Sequence, residues 1–532
     1  MTAPARPPAL SAGGMVSSSH PAASFAGARV LAEGGNAIDA TLAMAAVTWL
    51  TLPGQCGVGG DAFAIVREPD GRVWTVNGSG FGPDGGTADF YRAKGLSSIP
   101  LDGPLSVTVP GAPAALATMH AHGATTALEE LWEPAARLAE TGLPCSAKTA
   151  RDVREAFDSI RTDEGLAAVF AARSTAVDVG DRLRQPDLAR TIRQLARDPR
   201  GFYHGELAER AVTALTAGGA PFSGDEWAAG ASVDAEPAIT ARYGGALVHQ
   251  TPLPSAGWMM LQQAALCDGV VGSMSWLGAQ AIDRMARAAR LAFRDRFELC
   301  GSDNTGAHDV LAPSRIQSQR DQLESSVADP SAFGVLAGDT TSTVAVDAEG
   351  RAVSFIHSLA LTFGANFSIP GTGVVLNNRL GRGAYLLSGH PNEVAPRRKP
   401  LHTLNAWIVT DDLNQLLHVG NTPGGDGQVQ WNMQLLSHLV DHGLGPHQAV
   451  SAPRFTVYPG SDAHVIGEPD ELRVEATTAE SVRDELRTRG HHVVVQPAYG
   501  ADGSAQIISR DERGILSGAA DPRQEGVAIG VD

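Results

Sequence analysis

Two short stretches of the sequence carry the residue types best suited to chemistry. Residues 340–343 read Thr-Thr-Ser-Thr. A threonine hydroxyl is a poor nucleophile without a base. An α-amine has a pKa of about 7.7–8.0, so near neutral pH part of it is unprotonated and can serve as that base. A threonine whose preceding peptide bond has been cut therefore holds nucleophile and base in one residue. On composition alone the same run is a β-prone strand start. The second stretch is Gly424-Gly425, one of several glycine pairs beside Gly34-Gly35, Gly59-Gly60, Gly218-Gly219 and Gly244-Gly245. Acyl transfer develops negative charge on a carbonyl oxygen, and a backbone N–H aimed at that oxygen stabilises it by about 2.7–4 kcal/mol. Glycine permits the close approach and unusual dihedrals such a loop needs. The ordinary fate of a Gly-Gly pair is a turn.

Other chemistries lack their signatures. There is no GxxxxGK[ST], HExxH, EF-hand loop or zinc-type Cys/His spacing. Gly57-Val58-Gly59-Gly60-Asp61-Ala62 matches a relaxed GxGxxA, but a strand-like run follows it where a dinucleotide site needs a helix. No GxSxG elbow is present, which disfavours an α/β-hydrolase.

The elements that must position these residues change character along the chain. Apolar spacing predicts a helix over Ser18–Glu33 that Gly34-Gly35 can end, and a second from Asn36 to about Leu52, before Pro53. Phe63–Arg67 and Val73–Val76 read as strands joined through Pro69-Asp70-Gly71. Helices follow at Ala112–His122, Ala127–Thr141, Leu207–Thr216 and Gln280–Leu299. From Gly301 to Asp339 the pattern lapses into Gly, Ser, Asp and Pro and reads as a linker or mobile loop. Beyond it Thr341–Asp347 alternates with strand periodicity, and Ala352–Leu359, Val374–Leu376, Trp407–Val409, Leu416–Val419 and Ala505–Ile508 add strands. Two helices are expected among them, Val429–Asp441 and Thr478–Arg489.

Composition sets outer bounds. The 532 residues are 43% hydrophobic and 19% charged, too apolar for a disordered chain and long enough to bury a core without staples. The formal net charge of −17 argues against a nucleic-acid-binding face, and Arg397-Arg398-Lys399, the one basic cluster, reads as a solvated loop. Cys56, Cys145, Cys267 and Cys300 are widely spaced, as buried free thiols would be. Met1–Pro21 lacks the pattern of a secretory signal, and the most apolar run, Ala40–Leu52, is too short to span a membrane. A cytoplasmic protein with no membrane or nucleic-acid partner is the expectation.

Several segments, in order, resemble the γ-glutamyltransferase family of N-terminal-nucleophile hydrolases. They are Glu33–Ala40, Gly57–Asp61, Ser106–Gly111, Gly338–Gly350, Leu361–Gly364, Leu376–Asn378, Gly420–Gly425, Ala452–Phe455 and Gly518–Arg523. The resemblance implies an α+β fold, a four-layer αββα sandwich made as one precursor and cut in two. The family pattern places the cut between Asp339 and Thr340, giving a large subunit, 1–339, and a small one, 340–532, with Thr340 as N-terminal nucleophile. It implies Gly424 and Gly425 as the oxyanion hole and Ser358 as a supporting hydroxyl. The cleaved second subunit is then the protein's own partner, as a heterodimer or a heterotetramer of two precursors. No metal or organic cofactor is required by this chemistry.

Head-group recognition departs from the family. Ser79 stands where an arginine binds the α-carboxylate, Arg382 where an aspartate accepts the α-amine, and Ala360 where an asparagine is usual. Leu401-His402-Thr403-Leu404-Asn405-Ala406 replaces a serine-rich stretch. An α-amine would meet a like charge at Arg382, which costs specificity. Arg379 and Arg382, with Asn378, His402, Thr403 and Ser79, are the candidate substrate-binding residues, the two arginines suited to a carboxylate. The alternative is that both arginines sit on a solvated loop. The leading expectation is an autoprocessed amidohydrolase or acylase acting on a small carboxylated substrate. The alternatives are a true γ-glutamyltransferase or glutathione hydrolase with an altered head-group site, a hydrolase opening a C–C bond to an oxalyl-type group in pyrroline natural-product biosynthesis, and an inactive member with a binding role.

Overall fold

The computed structural model describes residues 7–172, 174–302, 309–325, 340–460 and 469–532. Two seven-stranded sheets form its centre, antiparallel throughout. One, the nucleophile sheet, runs in the order Val527–Val531, Gly14–Ser18, Thr341–Val346, Ala352–Ser358, Asp61–Arg67, Val73–Gly78, Ala235–Pro237. The other, the facing sheet, runs Ala9–Ser11, Leu516–Ala520, Gln506–Arg510, Leu416–Asn421, Trp407–Thr410, Ala246–Gln250, Ile239–Tyr243.

Strand periodicity explains the layering. Along Thr341–Val346 the side chains alternate, and Val344 and Val346 join Phe63, Ile356, Ile408, Val419 and Ile508 in a dry layer between the sheets. Ala345 points the other way and packs with Val353 and Phe355 under the helices Pro21–Ala32, Ala37–Thr51 and Leu128–Thr141. The facing sheet is covered in turn by Gly257–Cys267, Ala279–Leu299 and Gly427–Val440, through contacts among Trp407, Val409, Met260, Ile282 and Leu436. The molecule is therefore two antiparallel sheets flanked by helices on their outer faces.

Each sheet draws strands from both sides of residue 340. The first part is rich in helices, but it also supplies seven of the fourteen strands of these two sheets, so the two parts do not form separate layers.

The expected loop over 301–339 is corrected in part. Pro313–Ser325 is a helix. With only Ile316 and Leu323 apolar it shows no hydrophobic periodicity, and polar contacts hold it in place. Arg315 pairs with Asp295, Gln319 donates to Asp295, and Arg320 donates to the Ala265 carbonyl. Residues 303–308 and 326–339 lie outside the described part, and so does Asp339. A second correction concerns the basic cluster. Arg397 is exposed and pairs with Asp84, but Arg398 and Lys399 are half-buried, and burial lowers the Lys399 pKa. The four cysteines are buried and free.

Candidate active site

The strand register brings the first two candidates together. Thr341 pairs with His357, so one step further along the ladder puts Thr340 across from Ser358. The Thr340 hydroxyl donates to Ser358 Oγ at 3.2 Å, and both residues are buried. Gln55 braces the pair from the neighbouring helix end: its Oε1 accepts from the Thr341 hydroxyl at 2.9 Å and its carbonyl from the Leu359 N–H at 3.0 Å. At the far end of the nucleophile strand, Asp347 accepts the Ala37 N–H at the start of helix Ala37–Thr51. That helix is capped by Asn36 and Asp39, and Gly34 takes φ +94° at the end of the helix before it. The Glu33–Ala40 motif is thus a helix–helix corner that anchors the strand carrying Thr340.

Gly424 lines the same cavity as Thr340, with a volume of about 130 Å³. Gly424 has φ +125° and Gly425 φ +58°, conformations that favour glycine. A Cβ on Gly424 would lie 2.2 Å from the Trp431 ring. The carbonyls of Gly424 and Gly425 accept from the Gly427 and Gln428 N–H groups, which turns the loop into helix Gly427–Val440. The Gly424 and Gly425 N–H groups donate no hydrogen bond among the described residues. An N–H with no acceptor, on a residue that lines the cavity of the Thr340 hydroxyl, is the kind of donor a developing oxyanion requires; Gly425 follows Gly424 in the chain but does not line that cavity.

The remaining candidates gather behind Ser358, around Asp61, its partner in the next strand. The Asp61 carboxylate accepts the Gly80 N–H at 3.0 Å, next to Ser79, and His402 Nε2 at 3.0 Å, with Arg379 Nε at 3.9 Å. His402 Nδ1 accepts the Leu404 N–H, so its proton sits on Nε2 facing Asp61. Burial and then the nearby Arg379 charge push the His402 pKa down to about 3, and the ring is neutral. Ala360, at φ +88°, donates its N–H to Ser358 Oγ at 2.8 Å, and its carbonyl accepts from Arg382 Nη1 at 2.6 Å. A continuous path thus runs Thr340–Ser358–Ala360–Arg382. Asn378 accepts the Leu361 N–H and donates to the Leu101 carbonyl. Thr403 is buried beside His402. The solvated-loop reading of Arg379 and Arg382 is corrected: both are fully buried, in the short helix Arg379–Gly383. Neither lines the cavity at Thr340.

Sequence reasoning missed Asp61 as the hub of this cluster, and missed the cavity wall made by Lys148, Arg151, residues 499–503 and Arg523. The signal was present in the ordered segments, which converge in space. Asn377 accepts from the Thr108 N–H and hydroxyl and donates to the Gly59 carbonyl, joining three of them. Arg454, Asp521, Arg523 and Glu475 form a buried ion cluster that joins Ala452–Phe455 to Gly518–Arg523.

Comparison with known proteins identifies the family. The family model described as Gamma-glutamyltranspeptidase matches residues 23–531. The chain is 32% identical over 526 residues to the glutathione hydrolase-like YwrD proenzyme of Bacillus subtilis, covering 97% of this chain and 98% of that protein. It is 31% identical to the oxamate amidohydrolase proenzyme of Klebsiella pneumoniae, covering 98% and 99%. The crystal structure of a cephalosporin acylase from Bacillus halodurans superposes with a TM-score of 0.91 at 29% identity, covering 99% of this chain and 97% of that one. The chain belongs to the gamma-glutamyltranspeptidase family, whose matched relatives include hydrolase proenzymes.

Proposed function

We propose that the protein is an autoprocessed hydrolase that cleaves an amide or related acyl bond of a small carboxylated substrate through a threonyl acyl-enzyme. One observation carries this reading: the Thr340 hydroxyl shares a cavity with Gly424, and the Gly424 and Gly425 N–H groups have no acceptor among the described residues. In the precursor, Thr340 Oγ attacks the Asp339 carbonyl and the peptide becomes an ester. Water then hydrolyses the ester, leaving a carboxylate on Asp339 and a free α-amine on Thr340. The result is a sandwich built from two chains cut from one precursor. In turnover the α-amine takes the hydroxyl proton as Oγ attacks the substrate carbonyl. The oxyanion rests on the Gly424 and Gly425 N–H groups, and the leaving amine takes the proton from the α-ammonium. Water, deprotonated by the same amine, releases the acid. Ser358 orients Oγ.

The substrate class follows from the head-group positions. Arg382 stands where the family carries a carboxylate and Ser79 where it carries an arginine, so a free amino-acid head is disfavoured and a carboxylate near Arg379 and Arg382 is favoured. The likeness to an oxamate amidohydrolase and to a cephalosporin acylase supports this reading. The likeness to a glutathione hydrolase-like protein favours a second reading, a γ-glutamyl hydrolase with an altered head-group site. A hydrolysis panel of oxamate, succinamate, glutaramate and γ-glutamyl-p-nitroanilide decides between them. Turnover of a small dicarboxylic monoamide, lost in Thr340→Ala, is expected; turnover of the γ-glutamyl anilide alone selects the second reading.

A further inference from the structure

The cavity beside Thr340 has one wall that the proposed chemistry leaves unused. Helix Ala147–Glu155 forms it, held by the Thr149 hydroxyl on the Thr51 carbonyl and by the Lys148 N–H on Glu525. Three cationic side chains line the cavity: Lys148, Arg151 and Arg523. Two are neutralised locally. Lys148 pairs with Asp152 at 2.5 Å, and Arg523 pairs with Glu475 at 2.6 Å and Asp521 at 3.1 Å. Arg151 is exposed and makes no ion pair or hydrogen bond among the described residues. Its neighbour Arg154 pairs with Asp178, and Arg161 with Asp158. Asp502, also exposed, lines the same cavity, and Arg151 is the one lining cation with no carboxylate partner among the described residues. A planar fork of donors with no protein acceptor suits an incoming carboxylate.

We propose that Arg151 receives an anionic group of the substrate on the Gly424 side of Thr340, and so selects a leaving fragment that is a carboxylate-bearing amine. This deepens the preceding proposal and rests on Thr340 as the nucleophile. The preceding proposal assigns Arg379 and Arg382, behind Ser358, to the acyl side; they line no part of this cavity, so Arg151 is a separate station. The reacting bond then lies between two cationic stations. Hydrolysis adds water across it, the hydroxyl to the acyl carbon and the hydrogen to the departing nitrogen, and the Arg151-bound carboxylate leaves with the amine unchanged.

Two amines that differ by one carboxylate test this. Isothermal titration of the processed full-length protein with 5-amino-2-nitrobenzoate and with 4-nitroaniline compares the same amine with and without the anion. The carboxylated amine is expected to bind at least tenfold tighter. Arg151→Ala is expected to bring the two affinities together, and Arg151→Lys to restore part of the difference. Equal affinities in the unaltered protein, or a preference that survives in Arg151→Ala, overturns the proposal. Arg151 is exposed, so folding is not at stake, and Arg151→Ala is expected to be cut into two pieces like the parent. Absence of cutting in the parent is a failure of the nucleophile reading and is seen on the same preparations.

Discussion

Ser358 contacts the Thr340 hydroxyl while Asp61 holds the cluster behind it, and their replacement separates two effects. Ser358 contacts the Thr340 hydroxyl at 3.2 Å and is fixed by the Ala360 N–H. Ser358→Ala removes orientation without removing nucleophile or base, so kcat is expected to fall by about 10²-fold while KM changes little; steady-state kinetics reads the split. Asp61→Ala acts on folding. It strands the buried His402 Nε2–H and Gly80 N–H, each costing about 1–3 kcal/mol, so a clear drop in urea midpoint is expected. At this scale the sequence was informative where ordered family motifs surround a residue; alone, the threonine run reads as a strand start and the glycine pair as a turn. The threonine run, the glycine pair and Arg382 in a family carboxylate position could all be read there. Asp61 could not, because a carboxylate at a strand start looks ordinary until the partners at 80, 379 and 402 fold onto it.

At the scale of elements, the glycine loop packs against Trp431, which fills the space behind it. Trp431 donates to Thr456, and Arg454 stacks on its ring at 5.1 Å. Gly424→Ala would drive a methyl group into that ring and hold alanine at φ +125°. The expected outcome is a fall in kcat of about 10²–10³-fold, from loss of a placed donor, with a lower melting temperature. A variant with parental kinetics would remove Gly424 from the oxyanion role. The long helices and the central strands were legible from periodicity: Ala37–Thr51, Ala279–Leu299 and Thr341–Val346 fall within a residue or two of expectation. Helix Pro313–Ser325 was not, since its burial rests on Ile316 and Leu323 and on polar contacts to Asp295. The strands Ala9–Ser11 and Gly14–Ser18 were hidden by their shortness and by an Ala/Ser/Gly composition that gives no alternation.

At the scale of the molecule, both sheets are woven from segments on either side of residue 340. A cut there leaves pieces of 339 and 193 residues that share two hydrogen-bonded sheets and the layer between them. They are expected to co-elute as one species in gel filtration without denaturant and to separate only in denaturing gels. Interleaving of this kind is invisible to a reading by local composition, which sorts the chain into a helix-rich and a strand-rich part. No described helix is long and apolar enough to cross a membrane. The buried histidines set a pH limit for the whole fold. Burial lowers His249 to about 4, His357 to about 3 and His438 to about 3; His402 falls to about 3 through burial and Arg379. Unfolded histidines bind protons below pH of about 6.5, and these folded ones refuse them. Stability therefore falls as pH drops from about 6.5 toward 4, by up to about 1.4 kcal/mol per unit for each histidine. Urea unfolding at pH 7.5, 6 and 5 measures the slope; a flat profile would contradict it.

The central claim is that a threonine hydroxyl and its own freed amine do the chemistry. N-terminal sequencing of the smaller fragment of the purified protein, beside Thr340→Ala, tests it most directly. The account predicts a fragment beginning Thr-Thr-Ser-Thr-Val, at Thr340, and an uncut chain in the variant. A single full-length chain in the parent, a fragment beginning at another residue, or the same cut persisting in Thr340→Ala would contradict it.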